Sequence, residues 1–208
     1  MRAKIVFLIA VVCIVVMTIV GCIDNFKTEE VPTFTPISTT VPTITPTIDK
    51  EAFIDKYTEA KEIFKYESYE PELKANESEN LADMYYKRGL FDRSKDKYCE
   101  AAKFYSRAEE QDLKAKALFE EAYKIAPTEY YKEICRLYID ASQSHSKLMD
   151  YMSSAMNYME KACDYYEKEN YEAGEKERKK ANEQIIRYNI EIESYNTLVE
   201  KIDEIEGW

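Results

Sequence analysis

His145, Met149, Met152 and Met156 step by four, three and four, which places one imidazole and three thioethers along one face of a helix. Soft sulfur with nitrogen is a donor set for Cu(I). The same spacing also describes a helix seam, where methionine fills irregular gaps, and a complete metal shell would need ligands from other helices. The seam is the favoured reading, so no metal or cofactor is assigned and these four residues stand only as metal candidates. His145 is the sole histidine in the chain. Neither an HExxH nor a GxSxG pattern occurs, so its surroundings supply no zinc-protease or nucleophile–base signature. Its place on the seam makes it a core-edge residue, with a pH-switch role as the functional option.

Acidic residues are abundant, but they alternate with lysines at the i,i+4 spacing of solvated helix faces. None is singled out as a general acid or base, and the chain is not expected to be an enzyme. The 18 tyrosines, with pairs at 85–86, 130–131 and 165–166, could line a peptide groove. Their even spread favours tyrosines that straddle core and water with the hydroxyl wet. Asn76-Glu77-Ser78 is a glycosylation sequon that matters only in a glycosylating envelope.

These side chains must be carried by helices. From Asp49 onward Gly is almost absent, Pro occurs only at 71 and 127, and no stretch alternates with period two. Apolar residues recur every three or four positions, so residues 49–208 are expected to form one all-α domain. A first helix follows Asp49 and carries Phe53, Tyr57, Ala60 and Phe64 on one face as far as Tyr66; Pro71 should then break or restart the chain. Further on, Tyr131, Ile134, Tyr138, Ala141, His145, Leu148, Met152, Ala155, Met159, Ala162 and Tyr166 step 3, 4, 3, 4. Ala181, Ile185, Tyr188, Ile192, Tyr195, Val199 and Ile202 repeat that spacing. Residues 128–168 and 171–206 therefore read as a long antiparallel, coiled-coil-like hairpin that bends at Glu169-Asn170. Its weak point is the low-propensity run Ser142 to Ser146, which could kink or split the first arm.

Between the first helix and the hairpin, residues 75–127 resemble a tetratricopeptide repeat. The match rests on Leu81, Ala82, Tyr85, Gly89, Phe91, Ser94, Tyr98 and Ala101, with a second half-match at Ala115, Phe119, Ala122 and Pro127. Gly89 is its physical key, since glycine ends a helix with positive φ and lets Phe91 fold back. The resemblance implies protein–protein contact through a helix-lined groove, with Tyr85, Tyr86 and Phe91 structural.

The N-terminal residues carry a location. Arg2 and Lys4 precede an apolar run from Ile5 to Val20, which ends Ile19-Val20-Gly21-Cys22. The ending resembles the lipobox of secreted lipoproteins. By that resemblance residues 1–21 are a removed signal segment and Cys22 is the lipid-attachment residue. The other reading is an uncleaved spanning helix over residues 5–23, which would just cross ~30 Å of hydrocarbon. Both readings place everything after Cys22 on the extracytoplasmic side of the cell membrane. Residues 22–48 then form a linker in which Pro32, Pro36, Pro42 and Pro46 alternate with threonines, a semi-stiff spacer. Such spacers after a lipobox are similar to those of surface lipoproteins from methanogenic archaea.

The whole chain carries a net charge of −11. Removing residues 1–21 takes away Arg2 and Lys4 from the 29 basic residues and none of the 40 acidic ones, leaving −13. That argues against the basic footprint of a nucleic-acid binder and against a flat seat on anionic lipid. Cys99, Cys135 and Cys163 are odd in number and do not read as a disulfide framework, because Cys135 and Cys163 lie ~42 Å apart on one helix. The sequence thus anticipates a membrane-anchored helical scaffold with a protein partner, or in second place a surface binder of a small molecule or metal.

Overall fold

A computed structural model describes residues 50–207, all of which belong to one compact unit. The leader, Cys22, the Thr/Pro linker and the Asp49 cap lie outside the described residues. The elements are α1 (Lys50–Glu62), a π-helical turn (Ile63–Glu67), α2 (Tyr69–Lys87), α3 (Phe91–Ile125), α4 (Glu129–Glu167) and α5 (Tyr171–Glu206). The fold is an all-α bundle of long helices, with no strand among the described residues.

α1, the π turn and α2 form a single rod. Ser68 keeps helical angles (φ −75°, ψ −37°), and its N–H donates to the Ile63 carbonyl at 3.0 Å, five residues back. The extra residue held in this turn resets the hydrogen-bond ladder just before Pro71. Pro71 then falls in the first turn of α2, where a missing N–H costs little. The anticipated break at Pro71 is therefore a restart without a change of element.

The three connections, 88–90, 126–128 and 168–170, are short enough to make successive rods antiparallel neighbours. At the first, Gly89 has φ +71°, the Gly89 N–H donates to Tyr86 O at 2.9 Å and the Leu90 N–H to Tyr85 O at 3.0 Å. This is a Schellman cap, and glycine takes its left-handed position without a Cβ penalty. The bend at 168–170 repeats the pattern with Glu169 at φ +58° and the Asn170 N–H on Tyr165 O at 2.8 Å. Thr128 caps α4 by accepting the Tyr131 N–H at 3.3 Å.

α3 runs unbroken for 35 residues, so both the repeat-like segment from Ser94 and the half-match from Ala115 lie on one helix. α4 likewise runs unbroken for 39 residues through Ser142 to Ser146. Its serines are buried rather than solvated: Ser144 Oγ donates to Glu191 on α5 at 2.8 Å, and Ser146 Oγ to the Gln143 carbonyl at 3.0 Å. Packing against α3 and α5 overrides the low propensity of this run. Side chains meet in clusters along the length of the bundle, one centred on Tyr98, Tyr105, Leu148 and Met156, another on Ile63, Phe119 and Tyr138.

Candidate functional site

Halfway along the bundle all four rods contribute to one buried polar cluster. Asp112 of α3 is fully buried, although the pattern of acids and lysines had placed acidic residues on solvated faces. Its Oδ1 accepts the Ser68 hydroxyl at 2.7 Å, and its Oδ2 lies 2.7 Å from Nδ1 of His145 on α4. Nε2 of His145 faces Oε2 of Glu72 on α2 at 3.7 Å. Tyr195 of α5 lies against the imidazole with ring centroids 4.9 Å apart, and Phe64 meets it edge-on at 6.2 Å. His145 is 9% exposed, so it belongs to the interior and not to the edge of the core.

Burial pulls the imidazole pKa down, but the Asp112 hydrogen bond and charge, together with the Glu72 charge, outweigh it and hold His145 above the ordinary histidine value. Burial raises the Glu72 carboxyl above its ordinary value; the His145 charge opposes this and Asp112 adds to it. Burial also drives the Tyr195 hydroxyl upward. The cluster thus holds a proton tightly between two carboxylates. Ser68 binds the carboxylate and not the ring, so His145 does not activate it as a base would activate a nucleophile.

The methionines that share a face with His145 go elsewhere. Met149 and Met156 are buried beside Leu148 and Ala155, and Met152 packs against the same cluster. The structure brings them together as core, while the ring nitrogen of His145 nearest a neighbour is already committed to Asp112.

The tyrosines also depart from expectation. Hydroxyls foreseen as wet are received by carboxylates: Tyr98 by Asp83 at 2.5 Å, Tyr105 by Glu79 at 2.6 Å, Tyr166 by Glu175 at 2.6 Å. At the end where α5 finishes, Glu206 accepts from Tyr57 at 2.7 Å, Tyr138 at 3.1 Å and Lys61 at 2.7 Å. Burial alone would raise the Glu206 pKa; the Lys61 and Tyr57 hydrogen bonds reverse that and hold it at about 2. Carboxylate acceptors let these large rings be buried without an orphaned hydroxyl.

At the opposite end, the turns 88–90 and 168–170 flank an open cleft of about 490 Å³ lined by Phe91, Arg93, Tyr166, Glu169 and Tyr171. Tyr171 is 60% exposed. Of the pair beside Gly89, Tyr86 meets Phe91 and Tyr166 edge-on, and Tyr85 lies under the Arg93 guanidinium at 6.0 Å. Cys135 and Cys163 are buried and unpaired, and burial lifts both thiols to about 11, outside the range of reactive thiolates. No family model, no curated protein and no solved structure matches this chain.

Proposed function

We propose that the chain is a membrane-tethered, extracytoplasmic helical scaffold that mediates protein–protein contact. The observation that carries this reading is the order of segments: an apolar leader ending at Cys22, a Thr/Pro spacer, then a stiff bundle of helices up to ~58 Å long. The acidic balance of the body supports a domain held off the lipid surface. Large apolar side chains that the core does not use supply contact area: Tyr66, Tyr69 and Leu73 on the first rod, Ile186 and Ile190 on α5. Lipid attachment at Cys22 is tested by intact mass of the membrane-extracted chain, wild type against Cys22→Ser. Scaffolding is tested by photo-crosslinking from positions 73 and 190 in native membranes. A discrete partner species lost in Leu73→Glu or Ile190→Glu supports the proposal, and monomer alone at both positions ends it.

A second reading, a surface binder of a small molecule or ion, draws on the cleft between the turns. Phe91 and Arg93 of the repeat-like region face Tyr166 and Tyr171 of the hairpin across it. Thermal-shift gains with metabolites or ions that Tyr171→Ala abolishes would favour this reading over the first.

A further inference from the structure

The Asp112–His145–Glu72 cluster has three features beyond those that packing requires. It is a buried charge group built from three different helices. Its most exposed member is Glu72, whose side chain is 24% exposed, against 0% for Asp112 and 11% for His145. It also adjoins the π-helical turn Ile63–Glu67, because Ser68, which binds Asp112, directly follows it where the first rod already departs from regular hydrogen bonding. π turns inside helices are natural bending points.

We propose that Asp112, His145 and Glu72 form a proton-operated latch, which holds α2 against α3 and α4 while the imidazole is protonated and frees α2 to bend at the π turn when it is not. With both ring nitrogens protonated, Nδ1–H donates to Asp112 Oδ2 at 2.7 Å and Nε2–H points its charge at Glu72 3.7 Å away. Loss of one proton leaves the Nδ1–H bond to Asp112 in place, because that acceptor is closer and fully buried. Nε2 then turns a lone pair toward the Glu72 carboxylate. Two carboxylates on either side of an uncharged ring repel each other in a medium that screens them poorly. Asp112 cannot move, since Ser68 and His145 hold both its oxygens. Glu72 can reach water, and α2 moves with it.

The groups facing the imidazole set the sign of the response. Glu72 faces it from α2, Asp112 from α3, and Tyr195 from α5, with Tyr188 of α5 near Glu72. Phe64 and Ser68 complete the enclosure. None of these brings a positive charge that could replace the lost proton. The latch therefore closes on the acid side and opens on the alkaline side, and it is independent of the scaffold reading.

The test is hydrogen–deuterium exchange by mass spectrometry on the full chain in detergent micelles, at about pH 5.5 and about pH 8.5, on either side of histidine titration. Exchange is corrected for the intrinsic pH dependence of the amides. Protection over residues 63–80 should fall severalfold at the higher pH as the ionic contact is lost. Residues 148–162 of α4 should keep theirs. Glu72→Gln removes the repelling charge at the wet edge of the cluster, spares the fold, and should hold residues 63–80 closed at both pH values. Equal protection at the two pH values in the wild type, or an undiminished response in Glu72→Gln, overturns the latch.

Discussion

Replacing Asp112 by leucine should destabilise the bundle more than replacing Asp112 and His145 together. Asp112 is fully buried and accepts two hydrogen bonds of 2.7 Å, one from a hydroxyl and one from a ring nitrogen. Asp112→Leu removes the acceptor and leaves the imidazole buried with only Glu72 near it, 3.7 Å away. Breaking a buried ionic pair from one side costs ~3–5 kcal/mol. In a body of ~160 residues, where 1 kcal/mol moves Tm by ~2–4 °C, the loss is roughly 6–20 °C. His145→Leu alone strands Asp112, which keeps the Ser68 hydroxyl, and should cost a similar amount. In the double variant neither charge remains, the volume is hydrocarbon against Tyr195 and Phe64, and Ser68 retains the Ala108 carbonyl at 3.4 Å. Swapping a buried pair for apolar residues is commonly neutral or stabilising. The double variant should therefore unfold within ~2 kcal/mol of wild type, a strongly non-additive cycle. Thermal and urea unfolding followed by circular dichroism at 222 nm gives all four corners. Additive losses, with the double variant the least stable, would refute the view that the two side chains satisfy one another.

The pH dependence of stability has two limbs. His145 and Glu72 are both raised in the folded state, so the stability that each supplies is complete below its own ordinary value, 6.5 for the imidazole and 4.5 for the carboxyl, and is lost as pH climbs through its raised one. Glu206 is lowered from 4.5 to about 2, so its share is present above 4.5 and lost as pH falls towards 2. Tm should peak in mildly acidic solution, and Glu206→Gln should flatten only the acid limb. Glu169→Gly relieves a left-handed residue that carries a side chain and should stabilise by ~0.5–1 kcal/mol in urea unfolding. Gly174→Ala should do the reverse by ~1–2 kcal/mol despite better helix propensity, because its Cβ would lie 2.5 Å from the ring of Tyr166, whose hydroxyl is tied to Glu175.

Much of the architecture is written in local spacing. The α4 seam, the Gly89 turn and the bend at Glu169-Asn170 are readable because a 3,4 repeat and a cap are short-range features. The buried cluster was readable in part. Tyr98, Ala101, Tyr105, Ala108, Asp112, Ala115, Phe119 and Ala122 step 3, 4, 3, 4, 3, 4, 3, so Asp112 occupies a seam position among buried neighbours. An acid on an apolar seam is the signal that the alternation of acids and lysines obscured. Its partners were not readable, since which seam position of α4 meets Asp112 depends on how the rods slide past one another. The π turn depends on hydrogen bonds shifted by one residue, and the continuity of α4 through Ser142 to Ser146 depends on partners from α3 and α5.

One measurement reaches the centre of this account. His145 is the only histidine, so histidine-specific ¹³C labelling of the full chain yields a single imidazole signal to follow by NMR against pH. A ring pinned between Asp112 and Glu72 should titrate above the free value of ~6.5, and Asp112→Asn, which removes the charge that raises it, should bring the midpoint down. A midpoint at or below that of free histidine, unmoved by Asp112→Asn, would contradict it.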